Sequence, residues 1–162
     1  MSSAWRERPT EERYALNPAL AALILSQASI GYRQETRSGM PYLLSYLVKP
    51  MILDSQTRSS LPESTRTSLA SWLVANPILR AAIHLRVGPY GSVVREGLVV
   101  GLRTGLITLE GATLETTSGR ADGPRLDLPE LRELLRTAHL LGRLIAKVGS
   151  PATVFALVGV RP

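Results

Sequence analysis

The chain is 162 residues long and 17.6 kDa, 44% hydrophobic and 20% charged, which fits one globular domain and excludes a disordered or collagen-like chain. It contains no cysteine, so disulfides, thiolate zinc sites, iron–sulfur clusters and a cysteine nucleophile are excluded together. Nineteen Lys and Arg against thirteen Asp and Glu give a net charge of +6, and seventeen of the nineteen cations are Arg; an arginine-biased composition and an anionic partner account for this equally well.

The local signals predict a mainly α protein of one domain, residues 1–162, in five parts. Residues 1–16 form an N-terminal arm carrying Trp5-Arg6-Glu7-Arg8-Pro9. Residues 17–76 form a helical part. Asn17-Pro18 opens its first helix, with Asn capping and Pro in the first turn, where a missing N–H costs nothing. That helix should reach about Arg33, and its apolar character on all sides predicts burial on more than one face. A second helix is expected from Pro41 to about Val48, ending before Pro50, with 51–62 extended or looped. A third is expected from about Glu63 to Ala75, anchored by Leu69, Trp72 and Leu73.

Residues 77–117 have the order of a winged helix. Ile78 to Val87 is predicted helical, Gly88-Pro89-Tyr90-Gly91 a turn, and Ser92 to Thr104 helical again, closed by Gly105. A hairpin follows, with strands over Leu106–Leu109 and Ala112–Thr116 joined by a tight turn at Glu110-Gly111. Helix, turn, helix, hairpin is the arrangement in which the second helix often enters a major groove. Residues 118–126 are a loop. Residues 127–162 hold C-terminal helices: Asp127 and Glu130 form a capping box for a long amphipathic helix to about Val148. Ser150-Pro151 then starts a short helix that Gly159 ends, with a terminal strand as the alternative.

No pattern for catalysis emerges. His84 and His139 have no ligand-spaced neighbour, Lys49 and Lys147 lie in no phosphate-binding loop, and no G-x-S-x-G occurs. A carboxylate enzyme using Glu96 and Glu110 has nothing in its spacing to recommend it. The longest apolar run, Ala19 to Leu25, is seven residues, against about 20 for a membrane span. With no leader pattern, a soluble, cytoplasmic protein is expected.

Three surfaces stand out. On the long C-terminal helix, Arg132, Arg136, Arg143 and Lys147 fall within about 60° of one another, opposite an apolar arc that includes Leu135, Leu141 and Ile145. Like-charge i,i+4 pairs each cost about 0.2–0.5 kcal/mol, so this stripe is either a solvated face or a contact for phosphate or an acidic protein. Arg95 and Arg103 share a broad face in the central segment, whose mostly apolar residues argue against base readout. Gly97 and Gly101 there require close backbone approach, by this chain or by a docked partner. Trp5 is either a docking anchor or folds back on its own core.

Several stretches carry a family resemblance. They are Trp5-Arg6-Glu7-Arg8-Pro9, Leu16-Asn17-Pro18-Ala19, Gly39-Met40-Pro41, Thr57-Arg58 with Leu61-Pro62, Trp72-Leu73 with Asn76-Pro77, Leu141-Gly142-Arg143, and the run from Gly149 to Pro162. Together they resemble the middle component of bacterial three-component ABC systems. The resemblance implies a non-catalytic adaptor without cofactor. Its implied partners are an ATPase of the SMC/Rad50 kind and a variable effector, often a nuclease, in a Lamassu-like defence layout against phages or plasmids. It transfers no catalytic residue. Leu144 departs from the Trp expected after Gly142-Arg143, which puts an aromatic contact there in doubt. The rival reading is a free-standing winged-helix transcriptional regulator.

Overall fold

A computed structural model describes residues 16–116 and 128–161. Its elements run α1 (Pro18–Thr36), β1 (Met40–Pro41), a 3-10 turn (Tyr42–Leu44), α2 (Ser45–Leu53), α3 (Ser55–Ser60), α4 (Leu69–Ala75), α5 (Pro77–Arg103), β2 (Ile107–Glu110), β3 (Thr113–Thr116), α6 (Pro129–Ala146) and α7 (Pro151–Val158). The protein is mainly α, as its composition and periodicity predict. The N-terminal arm through Ala15 with Trp5, the loop from Thr117 to Arg125, and Asp127 of the expected capping box lie outside the described residues. Within them, Leu128 is the N-cap of α6, without a side-chain bond, and Pro129 opens the helix.

Helix α1 is the centre of the molecule. Asn17 Oδ1 accepts from Ala19 N at 2.9 Å and Leu20 N at 3.3 Å, which satisfies two of the orphan donors at the helix start. Ile24, Leu25 and Ala28 are fully buried, and α1 packs most extensively on α6 and α5, then on α2 and β3. The multi-sided burial expected of so apolar a helix is therefore present. Its end lies a turn beyond the expected one, at Thr36, where Arg37 takes a left-handed conformation and its N–H donates to the Arg33 carbonyl at 2.7 Å.

Two glycines bring α1 and α6 into backbone contact. A Cβ at Gly31 would overlap the carbonyl oxygen of His139 and sit 3.3 Å from the Arg143 nitrogen; a Cβ at Gly142 would overlap the carbonyl oxygen of Ala28. Each glycine thus lies under a carbonyl of the other helix. A Cα hydrogen fills the direction a side chain would take, the geometry of the weak C–H···O contacts that recur between closely crossing helices. A second close approach holds α5: a Cβ on Gly97 would come within 2.5 Å of Ala21 Cβ, and one on Gly101 within 2.9 Å of Ile107 Cδ1. Both glycines are buried inside this chain, so the partner that Gly97 and Gly101 accommodate is its own α1 and β2, not a second protein.

The winged-helix expectation for residues 77–117 is corrected. Pro77 to Arg103 is one continuous helix, with Gly88, Pro89 and Gly91 inside it. Without an N–H, Pro89 leaves the Leu85 carbonyl without its helical donor. The helix continues because residues on both sides of Pro89 face the same core: Ile83 before it, and Val93, Val94 and Gly97 after it, lie on one arc of about 100°. Pro89 itself is exposed, outside that arc. The hairpin is not a free wing either. β3 is the middle strand of a three-stranded antiparallel sheet, β1-β3-β2, with Met40 opposite Leu114.

Smaller differences have the same origin. Pro50 does not end the second helix but sits inside α2, where burial of Val48, Met51 and Ile52, at about 1.5–3 kcal/mol per side chain, outweighs the roughly 3 kcal/mol cost of an interior proline. The segment after it, expected extended or looped, forms α3, capped by Asp54. Helix α4 starts at Leu69 rather than Glu63, with Ser68 as its cap. The terminal strand alternative is not adopted: Ser150 caps α7, Gly159 closes it at φ +83°, and α6 and α7 meet at 108°.

The two kinds of helical glycine predict opposite effects of one substitution. Gly142→Ala should destabilise by more than the roughly 1–3 kcal/mol of ordinary overpacking, because the obstacle is backbone. Gly31→Ala should behave alike, and the double variant should cost less than the sum, since helices already forced apart accept the second methyl. Gly88→Ala should stabilise by about 0.5–1 kcal/mol, because its Cβ meets open space. Urea denaturation of the four variants checks all three; a neutral Gly142→Ala would refute the crossing.

Candidate interaction surfaces

The basic stripe on α6 divides in two. Arg132 and Arg136 are exposed, and Arg136 Nη2 pairs with Glu133 one turn away. Further along, the crossing with α1 turns the stripe into an interface. Arg143 Nε donates to Glu35 Oε1 at 2.6 Å, with both side chains mostly covered. His139 is half-buried, and burial together with the Arg143 charge lowers its pKa, so the imidazole is neutral near pH 7. Lys147 remains exposed and its Nζ donates to Thr65 Oγ1 at 3.2 Å. The stripe's solvent-facing members are therefore Arg132, Arg136 and Lys147. Glu35 was not singled out in the sequence, and no local signal could have done so: it lies 108 positions from Arg143 and faces it only because the glycines set the register.

Other polar groups are committed to the fold. Asp54 accepts from Thr57 N at 2.8 Å and Thr57 Oγ1 at 2.6 Å, and pairs with Arg86 Nη1 at 2.9 Å. Burial alone would raise its pKa, but these bonds and the Arg86 charge outweigh burial and lower it. Arg58 Nη1 donates to the Ile52 carbonyl at 2.7 Å, and Trp72 Nε1 to the Ser60 carbonyl at 2.6 Å. Arg33 on α1 pairs with Glu115 on β3 and ties the sheet to the central helix. A shallow groove of about 420 Å³ lies between α3 and α6, lined by Ser55, Gln56, Arg58, Ser59, Glu133 and Thr137. Its one arginine is the one bound to Ile52. Among the described residues no His, Asp and Glu group has the arrangement to hold a metal ion.

Arg95 and Arg103 are exposed on α5 and make no ion pair among the described residues. Exposed apolar side chains that the sequence reading did not single out lie near the start of the same helix and on α4. Ile78 is 83% exposed, Leu85 73%, and Val74, on the last turn of α4, 77%. The available signal was that α5 has more apolar residues than one core-facing arc can use. Among the described residues, no single helix is long and apolar enough to cross a membrane.

These features define a small helical protein whose polar side chains mainly cap, pair and brace its own elements, leaving Arg132, Arg136 and Lys147 of α6 and the apolar Ile78 and Leu85 of α5 exposed. The chain belongs to the Middle Component 3 family of ABC-three component (ABC-3C) systems, which matches residues 5–162. It is thus one part of a multi-component assembly. No curated protein and no solved structure matches it.

Lys49 supplies a pH test of the packing. It is fully buried on α2, with its Nζ 5.6 Å from the Tyr90 ring centroid. Burial lowers its pKa from 10.5 to about 8, and the Glu96 charge partly opposes the shift. Between about 8 and 10.5 the unfolded chain holds the proton that the folded chain has released, so stability rises with pH across that window. Denaturation at pH 7.5, 8.5 and 9.5 should show this rise in the wild type and its loss in Lys49→Met. Those values lie below the range in which buried Tyr32, with its raised pKa, acts in the opposite sense. A flat wild-type profile would show that the amine is hydrated.

Proposed function

We propose that this chain is a non-catalytic adaptor joining an SMC/Rad50-like ABC ATPase to an effector, often a nuclease, in a prokaryotic defence complex against phages or plasmids. The observation carrying the reading is the family match over residues 5–162. A middle component with no reaction of its own acts mechanically: it fixes the distance and orientation between larger subunits, and holds the effector back until the ATPase engages DNA. The backbone-on-backbone crossing of α1 and α6 supports this role by making the frame stiff. The exposed basic residues Arg132, Arg136 and Lys147 supply the contact with DNA phosphate, and Trp5 on the arm is a docking anchor to a subunit. The free-standing regulator loses its main support, because α5 has no turn to present a recognition helix.

Reconstitution from the ATPase, this chain and the effector tests the reading. Leaving this chain out should abolish co-purification of ATPase with effector, and an ATPase–effector complex forming equally well without it would overturn the adaptor role. Arg132→Glu with Arg136→Glu should leave the assembly intact and weaken its DNA binding. The slope of log K against log salt should become shallower by about 2, one step per lost phosphate contact. Unchanged DNA binding would make those arginines ordinary surface.

A further inference from the structure

The long helix α5 is anchored toward both ends and not in its middle. Toward the C-terminus Val93, Val94, Gly97 and Gly101 are buried, and the two glycines seat the helix on Ala21 of α1 and Ile107 of β2. Toward the N-terminus Ile83 is fully buried. Between them, from 84 to 92, no residue is buried. That stretch holds Gly88, Pro89, Tyr90 and Gly91. Pro89 cannot donate to the Leu85 carbonyl, and sharp helix kinks fall mostly at proline or at glycine. Glycine is the weakest helix former after proline, and the packing requires neither Gly88 nor Gly91. A Cβ on Gly88 meets open space, one on Gly91 comes no closer than 3.9 Å to Tyr46 Cε1, and neither residue has a positive φ. Helical segments with little burial and exposed backbone bonds are the ones that open first.

The elements on the two sides of this stretch also group differently. Helices α4 and α7 pack chiefly on each other and on α5. Helix α4 runs into the start of α5 through Asn76, and the end of α7 lies against the same half, where a Cβ on Gly159 would be 3.8 Å from Arg80 Nη2. Gly149, which joins α6 to α7, has φ +112° and open space around it. We propose that residues 88–91 are a hinge, about which an outer unit of α4, α7 and residues 77–87 changes its angle to a frame of α1, α6 and residues 93–103. The Arg86–Asp54 ion pair at 2.9 Å and the bond from Trp72 Nε1 to the Ser60 carbonyl tether the outer unit to the two ends of α3. Tyr90 lies beside Lys49 of α2. The motion is therefore a bend of limited travel, not an opening of the core. The glycine crossing of α1 and α6 keeps the frame fixed while exposed residues of the outer unit, such as Ile78 and Leu85, shift relative to Arg132 and Arg136. The hinge follows from the packing of this chain alone and does not depend on the adaptor reading.

The chain has no cysteine, so pairs of spin labels can be introduced without background. Ile78→Cys with Arg103→Cys spans the hinge, and Arg103→Cys with Arg132→Cys lies within the frame; all three positions are exposed. By double electron–electron resonance, the spanning pair should give a distance distribution about twice as broad as that of the frame pair. Gly88→Ala, Pro89→Ala and Gly91→Ala together restore the missing N–H and add methyl groups where there is room, so this variant folds. It should narrow the spanning distribution to the width of the frame pair. Hydrogen exchange reads the same joint without labels. The amides of Tyr90, Gly91 and Ser92 should exchange about tenfold faster than those of residues 94–101, and the triple variant should remove most of that difference. A spanning distribution as narrow as the frame pair's overturns the proposal, and so does breadth that the triple variant leaves unchanged. Even protection along α5 overturns it likewise.

Discussion

The crossing of α1 and α6 at Gly31 and Gly142 is the constraint from which the rest of the architecture follows. With a carbonyl of each helix seated over a glycine of the other, neither helix can slide or rotate without driving backbone into backbone. That is a stiffer restraint than interdigitated side chains, which can change rotamer. Register being fixed there, Glu35 on the last turn of α1 arrives opposite Arg143 on α6, and two buried faces are completed around Ala28 and Ala138. The same helix receives α5 near its start through Ala21 and Gly97. One central helix thus sets the positions of both long neighbours by the same device, a small residue at each point of closest approach.

This arrangement explains which parts of the fold were legible in the sequence. Where local and global preferences agree, the reading holds: Asn17 caps α1, Gly159 ends α7, and the strands of the hairpin fall within a residue or so of their expected places. Where they conflict, local signals mislead. Gly88-Pro89-Tyr90-Gly91 has the composition of a turn and no turn forms, because the helical phase of Ile83 continues unbroken into Val94 and Gly97 and a continuous helix buries both sets on one core. That phase relation was present in the sequence. It was outweighed by the strength of Gly and Pro as punctuation, although proline on the solvent side of a helix forfeits one bond and little else. Pro50 teaches the same lesson inside α2, and the pairing of Met40 with Leu114 could not be read locally, since a two-residue strand has no periodicity.

The glycines show how far a spacing argument goes. Repetition at Gly97 and Gly101 correctly signals close approach, and the approach is made by the chain's own Ala21 and Ile107. Gly31 and Gly142, which matter more, stand alone in their helices and give no pattern. Their importance is visible only once two segments more than a hundred residues apart are superposed. The surface reading fared similarly. Helical geometry placed Arg132, Arg136, Arg143 and Lys147 on one line, but it could not say that the line passes from solvent into an interface between Arg136 and Arg143.

Charge in this protein is sorted by what the fold needs. Glu35, Asp54 and Glu115 are each drawn into an ion pair that joins separate elements, with Arg143, Arg86 and Arg33 respectively. An acid spent on an internal pair no longer offsets the exposed cations around it. The net charge of +6 therefore falls disproportionately on arginines outside these pairs, such as Arg95, Arg103 and Arg132. The same sorting that ties separate elements together inside the molecule thereby leaves the positive excess on its outside.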